Sequence, residues 1–190
     1  MRVKKIVLLA VMLGIVNVAL AAALVDPVLP KGFGPWQNAQ VGEFMTVRVP
    51  GKFKGTSIEL GPEVRQKIDS LENYNLENTG DDYLCMVTNI IYNKGIMGDL
   101  DGAADGAINN MKKDPSITDM KVDRKYIKRF NINGILLTGK MMTGGKKATI
   151  ETEIFIRRNV MWMIMILDSN EKKLTEISQA VIDSMLIKAE

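Results

Sequence analysis

"NVMWMIMILD", residues 159–168, is the stretch on which the fold turns. Met161, Met163 and Met165 alternate with Trp162, Ile164 and Ile166, so both parities of a two-residue period are apolar. Successive strand side chains point to opposite faces, and a strand apolar on both faces belongs in the covered centre of a sheet. The same row has a second reading. Thioethers are soft ligands that bind Cu(I), and a strand would set Met161, Met163 and Met165 about 6.6 Å apart on one face, with Met141 or Met142 on a neighbouring strand. Burial alone accounts for the row, because each buried Met or Ile contributes roughly 1.5–3 kcal/mol. Dry core packing beneath helices is therefore the expected role of the three methionines, and a metal site the alternative.

Working outward, "RRN" (residues 157–159), "TGGK" (143–146) and "NING" (131–134) separate four strand candidates at 120–130, 134–141, 147–157 and 160–167. Connections this short join only antiparallel neighbours, which makes a meander. Apolar residues on both faces of 160–167, and nearly so of 134–141, call for one helix on each face of the sheet centre. In "TIETEIF", by contrast, Thr149, Glu151 and Glu153 share one side. They are expected to form a wet surface near an edge or a bare patch.

Upstream, "YLCMVTNIIY" (83–92) reads as a further strand, and "GEFMTVRVP" (42–50) as the first, with Pro50 closing it. Residues 51–80 are ambiguous between short strands and a turn of helix. Residues 99–113 read as a helix, with Leu100, Ala104, Ala107, Ile108 and Met111 at helical spacing, acids at its start and lysines at its end. Gly102 and Gly106 each cost that helix about 1 kcal/mol against Ala, a cost that close approach to the sheet would offset. At the other end, "DSNEKKLTEISQAVIDSMLI" (168–187) is an amphipathic helix. Asp168 or Ser169 is its expected cap, Glu171 completes a capping box, and Leu174, Ile177, Val181, Ile182 and Met185 form the stripe. The result is an α+β domain: an antiparallel sheet of about six strands with helices packed on its faces.

The first 23 residues hold Arg2, Lys4 and Lys5, an apolar run and then small residues, the order of an export signal, with an uncleaved anchor as the alternative. Residues 24–40, rich in Pro and Gly, read as a linker or N-terminal arm, and 41–190 as a single domain. Of the 25 Lys+Arg, three lie in the signal, which leaves 22 against 22 Asp+Glu. The formal +3 therefore belongs to the signal and gives no reason to expect nucleic acid as a partner. Any membrane contact is expected only through the N-terminal segment. Cys85 is the only cysteine, so no intrachain disulfide can form, and its apolar setting suits a small buried hydrophobe.

Chemistry is narrowed mainly by the absence of His, which removes histidine-activated nucleophiles, HExxH zinc sites and imidazole proton shuttles. "GILLTGKM" (134–141) fits G-x-x-x-x-G-K but places Met141 where a phosphate loop needs Ser or Thr, and Ile135, Leu136 and Leu137 suit a central strand. "DLDGAADG" (99–106) fails calcium-loop spacing and fits a helix N-terminus. Asp81, Asp82, Glu151 and Glu153 are the candidates for a carboxylate-dependent hydrolase, which requires two acids converging in one pocket. No catalytic residue, resident cofactor or metal is assigned.

"EFMTVRVPGKF" (43–53), "GILLTGKM", the hairpin "TIETEIFIRRNVMWMIMILD" (149–168) and the closing "EISQAVIDSMLI" (176–187) together resemble the PsbP-like superfamily in the order of their patterns. The resemblance covers most of residues 42–188. It implies an α/β/α sandwich on an antiparallel sheet and an exported, non-enzymatic accessory protein of the cell envelope. Its partner would be an envelope protein or a small ligand. Phe53 stands where an aromatic, often Trp, follows the first strand's proline, and the lipid anchor of some relatives is absent. The resemblance transfers no functional residue.

Overall fold

The computed structural model describes residues 35–76 and 83–188. The segment read as an export signal and the acids Asp81 and Asp82 lie outside the described residues. The meander forms as its short turns require: β6 (Ile117–Arg129), β7 (Ile132–Thr143), β8 (Lys146–Arg157) and β9 (Val160–Asp168) pair in sequence, all antiparallel. β9 then pairs with β5 (Tyr83–Tyr92), which continues into β4 (Ile68–Leu76) and β3 (Phe53–Ser57). The sheet order is β3-β4-β5-β9-β8-β7-β6, so the strand of alternating Met and Ile is the middle one of seven. The ambiguous stretch 51–80 supplies β3, β4 and the single-turn helix α1 (Pro62–Arg65).

A second sheet was not expected. β1 (Trp36–Val41), β2 (Met45–Pro50) and β10 (Leu186–Ile187) form three antiparallel strands in the order β1-β2-β10. The first described strand thus starts at Trp36, inside the segment read as an arm. Gln37, Asn38 and Gln40 are exposed, so β1 lacks the buried alternation that marks a strand in sequence. It is held by backbone pairing with β2 across a turn in which Gly42 takes φ +55°. Gly42 N donates to Tyr74 Oη, which donates to Glu72 Oε2, tying this sheet to the larger one.

One helix covers each face. α2 (Leu100–Lys113) buries Ala104, Ala107 and Met111 against β6, β7 and β8. Asp99 caps it, its carboxylate accepting from the backbone N–H of Asp101 and Gly102 at 3.1 Å each, the role expected of "DLDGAADG". α3 (Glu171–Asp183) buries Leu174, Ile177, Val181 and Ile182 of the expected stripe against Trp162, Ile164 and Ile166; the helix ends before Met185, and Leu186–Ile187, read as its last turn, pairs with β2 instead. The helix shares that face with the small sheet, whose Val41, Met45, Val47 and Val49 are fully buried. The architecture is therefore more sheet-rich than a helix-packed α/β/α sandwich. The cap of α3 is Asn170, not Asp168 or Ser169: its side chain accepts from the backbone N–H of Lys172 and Lys173, while Asp168 accepts from Asn170 N. β9 runs on through Asp168, so the helix cannot start until two residues later.

Two expectations about exposure fail. β8 is an interior strand and lies under α3, so Glu153 is only 1 % exposed and Thr149 and Glu151 are half-buried; this side is not a wet surface. Gly106 does not bring α2 close to the sheet: a Cβ there would meet nothing within 4 Å, whereas one on Gly102 would meet the Asp99 carboxylate at 2.8 Å. Where close approach does matter is Gly134, whose missing Cβ makes room for the Phe155 ring 2.7 Å away.

Candidate functional site

The sheet is wider than the helix that covers it. α2 lies over β6, β7 and β8, and the α2-side face of β4, β5 and β9 is left as an open groove of about 600 Å³, within the range of small-molecule sites. Strand register builds its floor in rows. Leu71 stands opposite Ile90, which stands opposite Met161; Asn73, Thr88 and Met163 make the next row; and Met86 opposite Met165 ends it. The exposed flank of α2 forms one wall, with Ala103, Gly106, Asn110 and Met111, and Ile58 stands on the opposite side.

Met161 and Met165 are buried core residues, as expected, but this core borders the groove. All three methionines of the row line it, and Met163 is only partly covered. The physical reason is the unequal width of the two layers: α2 follows the line from β5 to the far edge strand β6 and cannot also roof β5. Met86, which the sequence did not single out, and Met111, read there only as part of the helix stripe, join the same surface, and Met141 packs in the adjoining cluster. Met161 is set apart, because the Tyr92 hydroxyl donates to its sulfur at 3.6 Å.

Polar groups in the groove are few. Thr88 Oγ1 donates to Asn73 Oδ1 at 2.8 Å at the centre of the floor. Asp114 lies at the rim, where hydrogen bonds from the Ser116 hydroxyl and backbone hold its carboxyl below the usual carboxylate range. Burial raises the Tyr92 phenol, and the nearby Asp99 charge adds to the effect. Such a surface offers shape, dispersion contacts and a small hydrogen-bonding centre.

Of the carboxylates suggested for hydrolysis, the two that are described, Glu151 and Glu153, are not in this groove. Glu153 and Glu151 lie on the other face, under α3. Arg129 binds Glu153 Oε1 through Nε at 3.1 Å and Nη2 at 2.9 Å, and the Ser178 hydroxyl donates to Glu151. Burial raises the Glu153 carboxyl above its ordinary pKa; Arg129 opposes the rise, and Glu151 and Asp183 add to it. Glu153 Oε2 has no hydrogen-bond partner. Both acids are thus engaged within the packing and open to no cleft described above. Sequence reasoning missed the Arg129–Glu153 pair; the one signal was a glutamate two residues before Phe155 in a strand that the meander sets between two others.

The remaining motifs resolve as structure. "GILLTGKM" is an unbroken part of β7, paired on both sides. Cys85 is fully buried on the α3 side, and burial pushes its thiol up to about 12, so it is no nucleophile. Arg124, from the basic run "RKYIKR", pairs with Asp101 and Asp105, and Tyr126 Oη donates to Asp101 at 2.7 Å, which pins α2 to β6. Among the described residues no group of three or more His, Cys, Asp or Glu could hold a metal ion, and no helix is long and apolar enough to cross a membrane.

No family model matches the sequence, and a comparison with curated proteins finds no match. Solved structures do match. The chain is similar to cyanobacterial PsbP (CyanoP) from Synechocystis sp. PCC 6803, with 8 % identity and a TM-score of 0.55, over 86 % of this chain and 99 % of that one. It also matches LpqN, a Mycobacterium tuberculosis protein involved in cell envelope biogenesis, at 9 % identity and a TM-score of 0.47, over 82 % and 91 % of the two chains. A third match is a Pseudomonas aeruginosa protein of unknown function described as a putative regulator, at 12 % identity and a TM-score of 0.45 over 83 % of this chain and 100 % of that one. The fold is PsbP-like, as the resemblance in sequence pattern implied, and identity this low speaks to the fold alone.

Proposed function

We propose that this chain is an exported, non-enzymatic accessory protein of the cell envelope whose open half-sheet holds a lipid-type apolar ligand. The observation that carries the reading is the groove itself, a concave apolar surface left at the middle of a sheet where an ordinary core would be roofed. Its methionine lining supports it further, since flexible, polarizable thioether chains adapt to ligands that vary in shape. The Asn73–Thr88 pair gives the ligand's polar end one place to hydrogen-bond. Export is supported by the N-terminal signal pattern.

The test uses a fluorescent long-chain fatty-acid analogue and the Gly106→Trp variant. Gly106 faces open space in the groove, so an indole there fills the groove without disturbing the core. Saturable binding by the parent chain, lost in Gly106→Trp with circular dichroism unchanged, is the expected result. Absence of saturable binding, or equal binding by both proteins, would overturn the reading.

A further inference from the structure

Methionine is unevenly distributed in this molecule. The large core on the α3 side contains two, Met45 and Met185, among its buried residues. The small cluster at the β6-proximal end of the groove brings together Met86, Met111, Met120, Met141, Met163 and Met165. Packing alone gives no reason for the difference, because Leu fills a core equally well and with better-defined rotamers. Three elements contribute the methionines that reach the groove. Met86 on β5 stands directly opposite Met165 on β9, Met163 lies two residues along the same face, and Met111 comes down from α2. Directly opposed strand residues have Cβ atoms about 4.5–5.5 Å apart, and three rotatable bonds let each sulfur swing toward a common point.

We propose that Met86, Met163 and Met165, with Met111 as a fourth ligand, form a thioether site for a soft monovalent cation of the Cu(I) type. Neutral sulfur ligands select Cu(I) over zinc, magnesium and calcium, which prefer nitrogen, thiolate or oxygen. The chain has no His to compete for a soft ion, and its one cysteine is buried on the opposite face. Met86 and Met163 are only partly buried, so the ion has a route in from the groove, and the Asp114 carboxylate at its rim supplies balancing charge. Met161 is excluded, since its sulfur already accepts from Tyr92 and it packs in the neighbouring cluster. This proposal shares the groove with the apolar-ligand reading but does not depend on it.

Trp162 points to the α3 face and is a poor reporter, so the experiment reads the sulfur groups themselves. The full chain, labelled with ¹³C at the methionine methyls, is titrated with Ag(I) as a redox-inert probe and with Cu(I) under anaerobic ascorbate. The expected result is a saturating one-to-one shift of the Met86, Met111, Met163 and Met165 methyls, while the exposed Met97 is unmoved. The double variant Met86→Leu/Met165→Leu conserves volume and should weaken binding at least about tenfold, the loss seen even for outer-shell changes at metal sites. The two proposals fail separately: the methyl shifts decide the ion site, and the comparison of the parent chain with Gly106→Trp decides the apolar-ligand reading. Unshifted methyls at equimolar ion, shifts spread without saturation over all methionines including Met97, or undiminished affinity in the double variant would overturn the site.

Discussion

On β9, Trp162, Ile164 and Ile166 point one way and Met161, Met163 and Met165 the other, with the same backbone and nearly the same apolar volume on both sides. The first set is closed over by α3 and by the small sheet. The second is roofed by α2 only toward β8, and on the β5 side it meets an open groove. What differs is the number of layers above each face, and that number follows from where the connecting segments run. The strand from residue 160 to 168 is a core strand on one side and the floor of an open groove on the other.

The comparison predicts unequal responses to truncation. Ile164→Ala should cost about 4 kcal/mol in urea unfolding, as a fully enclosed site cannot collapse around the lost carbons, whereas Met163→Ala should cost only about 1 kcal/mol. Equal losses would mean that the groove is closed in solution. Next in size is Arg129→Met, which strands the Glu153 carboxylate on the sealed face and should cost about 3 kcal/mol near neutral pH.

Because burial raises the Glu153 pKa, the folded chain holds that proton more tightly than the unfolded chain does. Its contribution to stability is fully present below the unfolded carboxyl pKa and is lost as pH rises through the folded one. Without Arg129 the carboxyl rises further. The gap between variant and parent should therefore be small in acid and widen toward neutrality, as measured by urea titrations at several pH values; a gap independent of pH would show that Glu153 is not the group concerned.

Smaller effects test the helices of the two faces. Asn170→Ala should cost about 1 kcal/mol by removing the cap of α3. Gly106→Ala, on the open side, should gain up to about 1 kcal/mol in thermal or urea unfolding, while Gly102→Ala should gain less or lose, since its new methyl would press on the Asp99 cap. A loss at Gly106 would indicate that the groove wall is packed against something at that position.

Much of the fold was legible because it rests on local patterns. Alternation across "NVMWMIMILD" and "YLCMVTNIIY", the two- to four-residue turns of the meander, and the helical stripes read over residues 99–113 and 168–187, the second of which ends at Asp183, all act within a few residues of their cause. β1 was missed because an edge strand with one wet face carries little of that signal. Glu151 and Glu153 were misread for the opposite reason. Their alternation is clear, but whether a face is wet depends on which strand ends up outermost, and here β6, from earlier in the chain, takes the edge that β8 was expected to be near.

By itself the sequence determined the strand-rich α+β character, the antiparallel order of the meander, the amphipathic helices and the absence of histidine chemistry, since each of these follows from residue type and short-range spacing. Only the tertiary structure decided that the methionine row looks into an open groove, that Met86 and Met111 join it, and that Glu153 is buried against Arg129. Those facts depend on how far one helix reaches across a sheet seven strands wide, a long-range match of layer widths that no local pattern encodes.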